Sequence, residues 1–184
     1  MNLRTPAARR MLAFACAAVC VPAAVLASSA AVLASSNARA AVARTAAPAC
    51  ATAGLDLWLD TGGSGAAGTI YYQLHFTNLS GGTCTLLGYP GVSGVTLTGT
   101  QLGSAAGRNH SVTPHLVTLT NGATATAIVG IVQVSLFQPA KCGPVTAAGL
   151  RVYPPGQTAS KIVPFPFGAC SKTGPGYLST MAVK

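Results

Sequence analysis

The sequence contains almost no acidic residues. Its 184 residues include two aspartates, Asp56 and Asp60, and no glutamate. If both aspartates lie on one strand, they face the same side and stand about 13 Å apart at ~3.3 Å per residue. Because paired glycosidase carboxylates are closer than this, the composition argues against hydrolysis by a carboxylate pair.

Motifs for phosphate, nucleophile or metal chemistry are also missing. The glycine-rich run at 62–68 lacks the Gly-Lys-Ser/Thr ending of a phosphate-binding loop. Its segment 62–66 departs at the last position from the Gly-x-Ser-x-Gly turn that exposes a nucleophilic serine. The closest cysteines after residue 40, Cys142 and Cys170, are spaced far more widely than the Cys-x-x-Cys pairs of zinc sites. We therefore predict no metal, no cofactor and no enzymatic activity.

The N-terminal segment has the pattern of a signal peptide. Three arginines stand among the first ten residues, and an uncharged, alanine-rich run follows at 11–34. Ala38-Arg39-Ala40 then supplies a small-x-small cleavage pattern, which predicts a signal peptide over residues 1–40. Ala27 and Ala34 are alternative cleavage sites. Two further alternatives remain open: export by a twin-arginine route, and retention of the apolar run, which is long enough to span a bilayer, as a membrane anchor.

Cleavage would leave a short flexible tether at 41–49 and one domain at 50–184. Seven of the eleven Lys and Arg residues remain, and against two aspartates they give a net charge of +5. These cations are scattered along the chain, without the basic run and interleaved aromatics of a nucleic-acid groove. Nucleic acid is therefore not a predicted partner.

Four cysteines remain after residue 40: Cys50, Cys84, Cys142 and Cys170. An even number in an exported domain predicts two disulfides, with three possible connectivities. We favour the sequential pairing, Cys50 with Cys84 and Cys142 with Cys170. Each bridge would then close a loop of roughly 30 residues and stabilise the fold by about 3.5 kcal/mol.

Short strands dominate the rest of the chain, since no window shows a convincing helical period. The alternation of apolar and polar residues predicts about eight strands, at 55–59, 69–77, 92–97, 112–119, 123–134, 147–153, 161–167 and 177–183. The run at 62–68 is expected to be a flexible connection, and Asn121-Gly122 to close a hairpin between 112–119 and 123–134. The predicted fold is an all-β, Ig-like antiparallel sandwich.

Three stretches resemble a known family. Residues 76–78 read Phe-Thr-Asn, residues 84–92 read Cys-Thr-Leu-Leu-Gly-Tyr-Pro-Gly-Val, and a Val-Thr-Leu segment with a turn follows at 117–125. Together they resemble the secreted actinobacterial family called domain of unknown function 4232, with Asn121 where proline is more usual. The resemblance covers roughly residues 50–183 and places Cys142 and Cys170 at the family's second cysteine pair. It implies an exported, envelope-associated β-sandwich without an assigned activity.

A candidate binding face follows from the strand pattern. Alternation over 69–77 turns Tyr71, Gln73 and His75 outward as a polar and aromatic stripe. We take this stripe, with Trp58 and Tyr89, as the possible binding face.

The sequence thus predicts a secreted or envelope-located, monomeric, non-enzymatic module. It would bind an envelope polymer or a protein partner, and would have no stable membrane insertion once the signal peptide is removed. The alternative is an extracytoplasmic hydrolase acting on cell-wall or lipid material. It would use a serine with one of the three histidines and an aspartate.

Overall fold

Alternating inward and outward residues build this chain almost entirely from strands. The computed structural model describes residues 46–184, so the predicted signal peptide and residues 41–45 of the predicted tether lie outside the described residues. The strands are β1 Leu55–Ala66, β2 Thr69–Asn78, β3 Cys84–Leu87, β4 Gly91–Val95, β5 Gln101–Leu102, β6 Gly107–Arg108, β7 Leu116–Leu119, β8 Thr124–Val132, β9 Pro144–Tyr153, β10 Lys161–Cys170 and β11 Leu178–Thr180. Two single 3-10 turns lie at Thr52–Gly54 and Val134–Leu136, and one short helix, α1, spans Pro139–Cys142.

The strands form two packed sheets and a ribbon. One sheet has the order β1-β2-β8-β11-β6, the other has the order β10-β9-β4-β5, and β3 pairs with β7 in the ribbon. The pairing is antiparallel except between β11 and β6. This arrangement confirms the predicted all-β sandwich. Within residues 46–184, no helix has the length and apolarity needed to cross a membrane.

The core lies between the two sheets. Every second side chain is buried over residues 55–59 of β1, over residues 74–78 of β2 and along β8, and the facing positions of β4, β9 and β10 meet them from the other side. The largest fully buried side chains are Tyr177, Phe76, Leu55, Leu74, Leu86 and Leu150. Burying a side chain of this size stabilises the fold by about 1.5–3 kcal/mol, so this interior fixes which residues face outward.

Both disulfides form with the predicted pairing. Cys50–Cys84 ties the segment before β1 to β3, and Cys142–Cys170 ties α1 to the end of β10. Next to the first bridge, the Thr85 N–H donates to the Pro48 carbonyl at 2.8 Å. Ordered contacts therefore reach at least two residues into the segment predicted as a flexible tether.

The expected flexible connection at 62–68 is wrong. β1 continues through this run to Ala66, which pairs with Thr69 across a two-residue turn. Ala67 and Gly68 have φ of 49° and 78°, the positive values that a tight hairpin turn requires. The register also shifts between Asp60 and Ser64. Glycines fit this bulge because a Cβ on residue 63 would lie 2.6 Å from the Tyr72 ring.

The expected Asn121-Gly122 hairpin is also wrong. A turn does form, with the Ala123 N–H donating to the Thr120 carbonyl at 3.0 Å. However, β7 pairs with β3, whereas β8 pairs with β2 and β11. The Gly122 N–H donates to the Asn78 carbonyl at 2.7 Å, and this contact directs the chain from the ribbon into the five-stranded sheet.

Candidate functional site

The outer face of the β1–β2 hairpin carries most of the predicted binding residues. Because the leucines of β1 face the core, Asp56, Trp58 and Asp60 between them face solvent. Trp58 lies directly opposite His75 on β2, and Asp60 lies opposite Gln73. The hairpin register therefore brings together three of the five predicted residues: Trp58 and His75 are paired directly, and Gln73 is two residues from His75 on the same face.

Trp58 and His75 form a parallel stack. Their ring centroids are 3.8 Å apart with 8° between the ring planes. The stack covers one face of the indole, while 44% of the Trp58 surface stays exposed. On the third strand, β8, the Thr126 hydroxyl lies 3.4 Å from His75 Nδ1. The site is thus a preformed aromatic surface held by three strands.

Both acidic side chains of the protein, Asp56 and Asp60, lie near this stack. Asp56 and Asp60 each stand two residues from Trp58, about 7 Å along the strand, and both are exposed. The Gly62 N–H donates to Asp60 Oδ1 at 2.9 Å, which fixes this carboxylate at the bulge. A chain with a net charge of +9 therefore places both of its carboxylate side chains beside one aromatic group.

Tyr71 belongs to the same face, one step further along the hairpin. It pairs with Gly130 of β8, and a Cβ at that glycine would lie 3.1 Å from the Tyr71 ring. The ring therefore packs over the bare backbone of the central strand. This packing extends the face from Trp58 towards the hairpin turn.

Tyr89 does not join this face. Its hydroxyl lies 3.1 Å from His110 Nδ1, and the Arg108 guanidinium lies 5.8 Å from the centre of its ring. Arg108 belongs to β6, and β8 and β11 separate that strand from β2. The chain crosses to this far edge after β3, where the Val183 N–H donates to the Gly88 carbonyl at 2.9 Å. Tyr89, His110 and Arg108 are a separate cluster.

Residues 46–184 contain no group of three or more His, Cys, Asp or Glu side chains that could hold a metal ion. The protein partners of the His75 and His110 Nδ1 atoms are the hydroxyls of Thr126 and Tyr89. These contacts make both imidazoles parts of hydrogen-bonded aromatic clusters.

A family model described as Domain of unknown function (DUF4232) matches residues 50–183. The chain belongs to this family. The matched range contains both disulfides and the whole β1–β2 hairpin. No curated protein and no solved structure matches the chain.

Asn78 of the DUF4232 domain is a polar residue whose role sequence reasoning missed. It is fully buried at the end of β2, where its Nδ2 donates to the carbonyls of Gly82 and Leu119 at 2.7 and 2.9 Å. Its Oδ1 accepts from the N–H and the hydroxyl of Ser80 at 3.0 and 2.7 Å. The sequence did contain a signal for this burial, because Asn78 continues the series of inward-facing positions on β2. With all its hydrogen bonds made inside the protein, Asn78 is a structural residue.

Thr126 is the other residue that the sequence pattern did not single out. It reaches the stack only because β8, which follows β2 by more than forty residues, pairs with β2 in the sheet. No local pattern identifies that partner strand. The DUF4232 domain thus builds its candidate site from a local hairpin and one distant strand.

Proposed function

We propose that this domain is a non-enzymatic binding module that acts outside the cytoplasm and binds an envelope polysaccharide through the outer face of β1, β2 and β8. The observation that carries the proposal is the exposed Trp58 stacked on His75. Aromatic side chains that are held rigid at a surface dominate the energetics of many binding sites. Here the stack and the sheet fix the indole before any ligand arrives.

The groups around the indole support a ligand rich in hydroxyl groups. Asp56 and Asp60 offer carboxylate acceptors on both sides of the ring, and Gln73 adds an amide donor and acceptor. A sugar presents an apolar face of C–H groups together with hydroxyl donors around its edge. Such a ring can lie on Trp58 while its hydroxyls donate to the flanking carboxylates.

The proposed location rests on two features. The predicted signal peptide directs the chain across a membrane. The two disulfides suit an oxidising compartment, in which such bonds form and persist.

The non-enzymatic assignment is supported by the scarcity of proton-transferring groups. The chain has two carboxylate side chains, and both lie on the exposed side of one strand. A hydrolase using serine needs a histidine base within hydrogen-bond reach of the nucleophile. His75 instead stacks on Trp58 beside a threonine.

The test uses the chain's only tryptophan, which lies in the proposed site. The purified, oxidised protein is titrated with soluble cell-wall polysaccharide fragments while Trp58 emission is followed. It is also sedimented with insoluble polysaccharide. We expect saturable binding of the wild type in both assays, and at least tenfold weaker binding of Trp58→Ala in the sedimentation assay, because this variant has no tryptophan emission to follow. Leu97→Ala, at an exposed position outside this face, is the control and should bind normally.

Two results would contradict the proposal. One is wild-type binding by Trp58→Ala, verified as folded by circular dichroism. The other is the absence of binding to every polysaccharide fraction. Turnover of the fragments, detected as new reducing ends, would instead favour a hydrolase.

A further inference from the structure

The space between the two sheets is open to solvent at one place. On β2 the inward residues Leu74 and Phe76 are completely buried, but the inward Tyr72 is half-exposed. On β10 the inward Phe165 and Phe167 are half-exposed in the same way. Two of these core-facing rings, Tyr72 and Phe167, line an opening between the sheets.

This opening is a pocket of about 420 Å³, within the range of small-ligand sites. Its wall is mainly apolar, with side chains such as Ile70, Tyr72, Val134 and Phe167, and the polar Gln133 and Ser135 also line it. Gln133 and Ser135 are exposed, so polar groups mark the rim of the pocket. The pocket therefore suits an apolar group entering from solvent.

A second cavity, a basic hollow of about 500 Å³, is lined by residues that follow the pocket residues in the same two chain segments. Ser135 lines the pocket, and Phe137, two residues later, lines the hollow. Gly168 lines the pocket, and Lys172, four residues later, lines the hollow together with Lys141. Because the same segments border both cavities in the same order, the pocket and the hollow are neighbours.

The two segments are held together firmly. The Cys142–Cys170 disulfide joins them, and the Lys172 N–H donates to the Cys142 carbonyl at 3.1 Å. Lys172 Nζ donates to the Ala140 carbonyl at 2.9 Å, which places its charge at the hollow. The fold therefore holds the Lys172 ammonium group at the hollow, and Lys141 lies on the same disulfide-linked segment.

The charge around this surface has one sign. Lys141 and Lys172 are exposed, and both acidic side chains of the chain lie elsewhere, on β1. An anionic group is therefore attracted to the hollow, while the adjoining pocket favours hydrocarbon. The geometry points to a second binding site, separate from the Trp58 face, for a single-chain anionic lipid. Its hydrocarbon chain occupies the pocket, and its acidic head contacts Lys141 and Lys172.

The test measures dodecanoate binding to the purified, oxidised protein by calorimetry, below the concentration at which micelles form. Ser135→Trp fills the rim of the pocket from an exposed position, and Ser111→Trp, at an exposed position outside the pocket, is the matched control. We expect one dodecanoate per protein, at least tenfold weaker binding in Ser135→Trp, and unchanged binding in Ser111→Trp. No binding to the wild type, or equal binding by Ser135→Trp, would overturn the proposal.

The acidic head is tested separately. Dodecyl maltoside has the same chain length but a neutral head, so it should bind at least tenfold more weakly than dodecanoate. Lys141→Gln combined with Lys172→Gln should reduce dodecanoate binding to that level, and near-ultraviolet circular dichroism verifies the fold. Undiminished binding of dodecanoate by the folded double variant would overturn the assignment of the lysines.

Discussion

Replacing Tyr177 with phenylalanine should destabilise the protein in a pH-dependent way. Tyr177 is fully buried, and its hydroxyl donates to the Leu102 carbonyl at 2.8 Å. The substitution removes the donor and leaves a buried carbonyl without its partner. We therefore expect Tyr177→Phe to lower the free energy of unfolding by about 1–2 kcal/mol at pH 8.

The difference in unfolding free energy between the wild type and Tyr177→Phe should become smaller at high pH. Burial raises the pKa of Tyr177 to about 12, against an ordinary value of 10. As the pH rises above 10, the unfolded chain loses this proton while the folded protein still holds it, so wild-type stability falls until about pH 12. Tyr177→Phe lacks the group, and the gap between the two proteins should narrow by about 1 kcal/mol at pH 11.

The assay is urea unfolding of both proteins at pH 8 and pH 11, followed by the fluorescence of Trp58. Other ionisable groups are common to both proteins and cancel in the comparison. Leu97→Ala, which removes no ionisable group from an exposed position, is the control and should differ equally from the wild type at the two pH values. A Tyr177→Phe gap that stays constant or widens at pH 11 would refute the reasoning.

Three further substitutions test packing, hydrogen bonding and cross-linking. Gly94→Ala places a Cβ 2.6 Å from the Tyr177 hydroxyl, and should cost about 1–3 kcal/mol by overpacking; an unchanged melting temperature would contradict this contact. Asn78→Ala should cost about 2–3 kcal/mol in urea unfolding, because the buried Leu119 carbonyl and the part-buried groups of Ser80 and Gly82 lose their hydrogen bonds; a loss below half of that would show that water replaces the amide. Serine at both Cys142 and Cys170 should cost about 2–5 kcal/mol, measured by thermal unfolding beside the oxidised and the reduced wild type; the variant keeps the Cys50–Cys84 bridge and should melt between them, and a melting temperature equal to that of the oxidised wild type would contradict this role of the bridge.

Strand positions could be predicted where alternation runs long enough. The segments around Leu57 and Leu74 show this, because each buries every second side chain against the opposite sheet. By contrast, β5 and β6 have two residues each, too few to show a period. β3 has four residues and forms its strand pairing with β7, so its sequence alone does not distinguish it from a turn.

The candidate site could be predicted only in part. Alternation was enough to place Trp58 and His75 on outward faces, but their direct stacking depends on the hairpin register. That register comes from a two-residue turn and a bulge within a glycine run, where side chains give no signal. Tyr89 was misplaced because the path of the chain after β3 depends on long-range contacts with the C-terminal residues.

The burial of Asn78 bears on the choice of expression host. Asn78-Leu79-Ser80 matches the acceptor sequence for N-linked glycosylation. In the folded protein the Asn78 amide is inaccessible and already donates two hydrogen bonds. A eukaryotic secretory host that attaches a glycan there before folding would prevent those bonds and trap the turn between β2 and β3 in a non-native form. A bacterial periplasm oxidises the disulfides without that modification and is the better source of native protein.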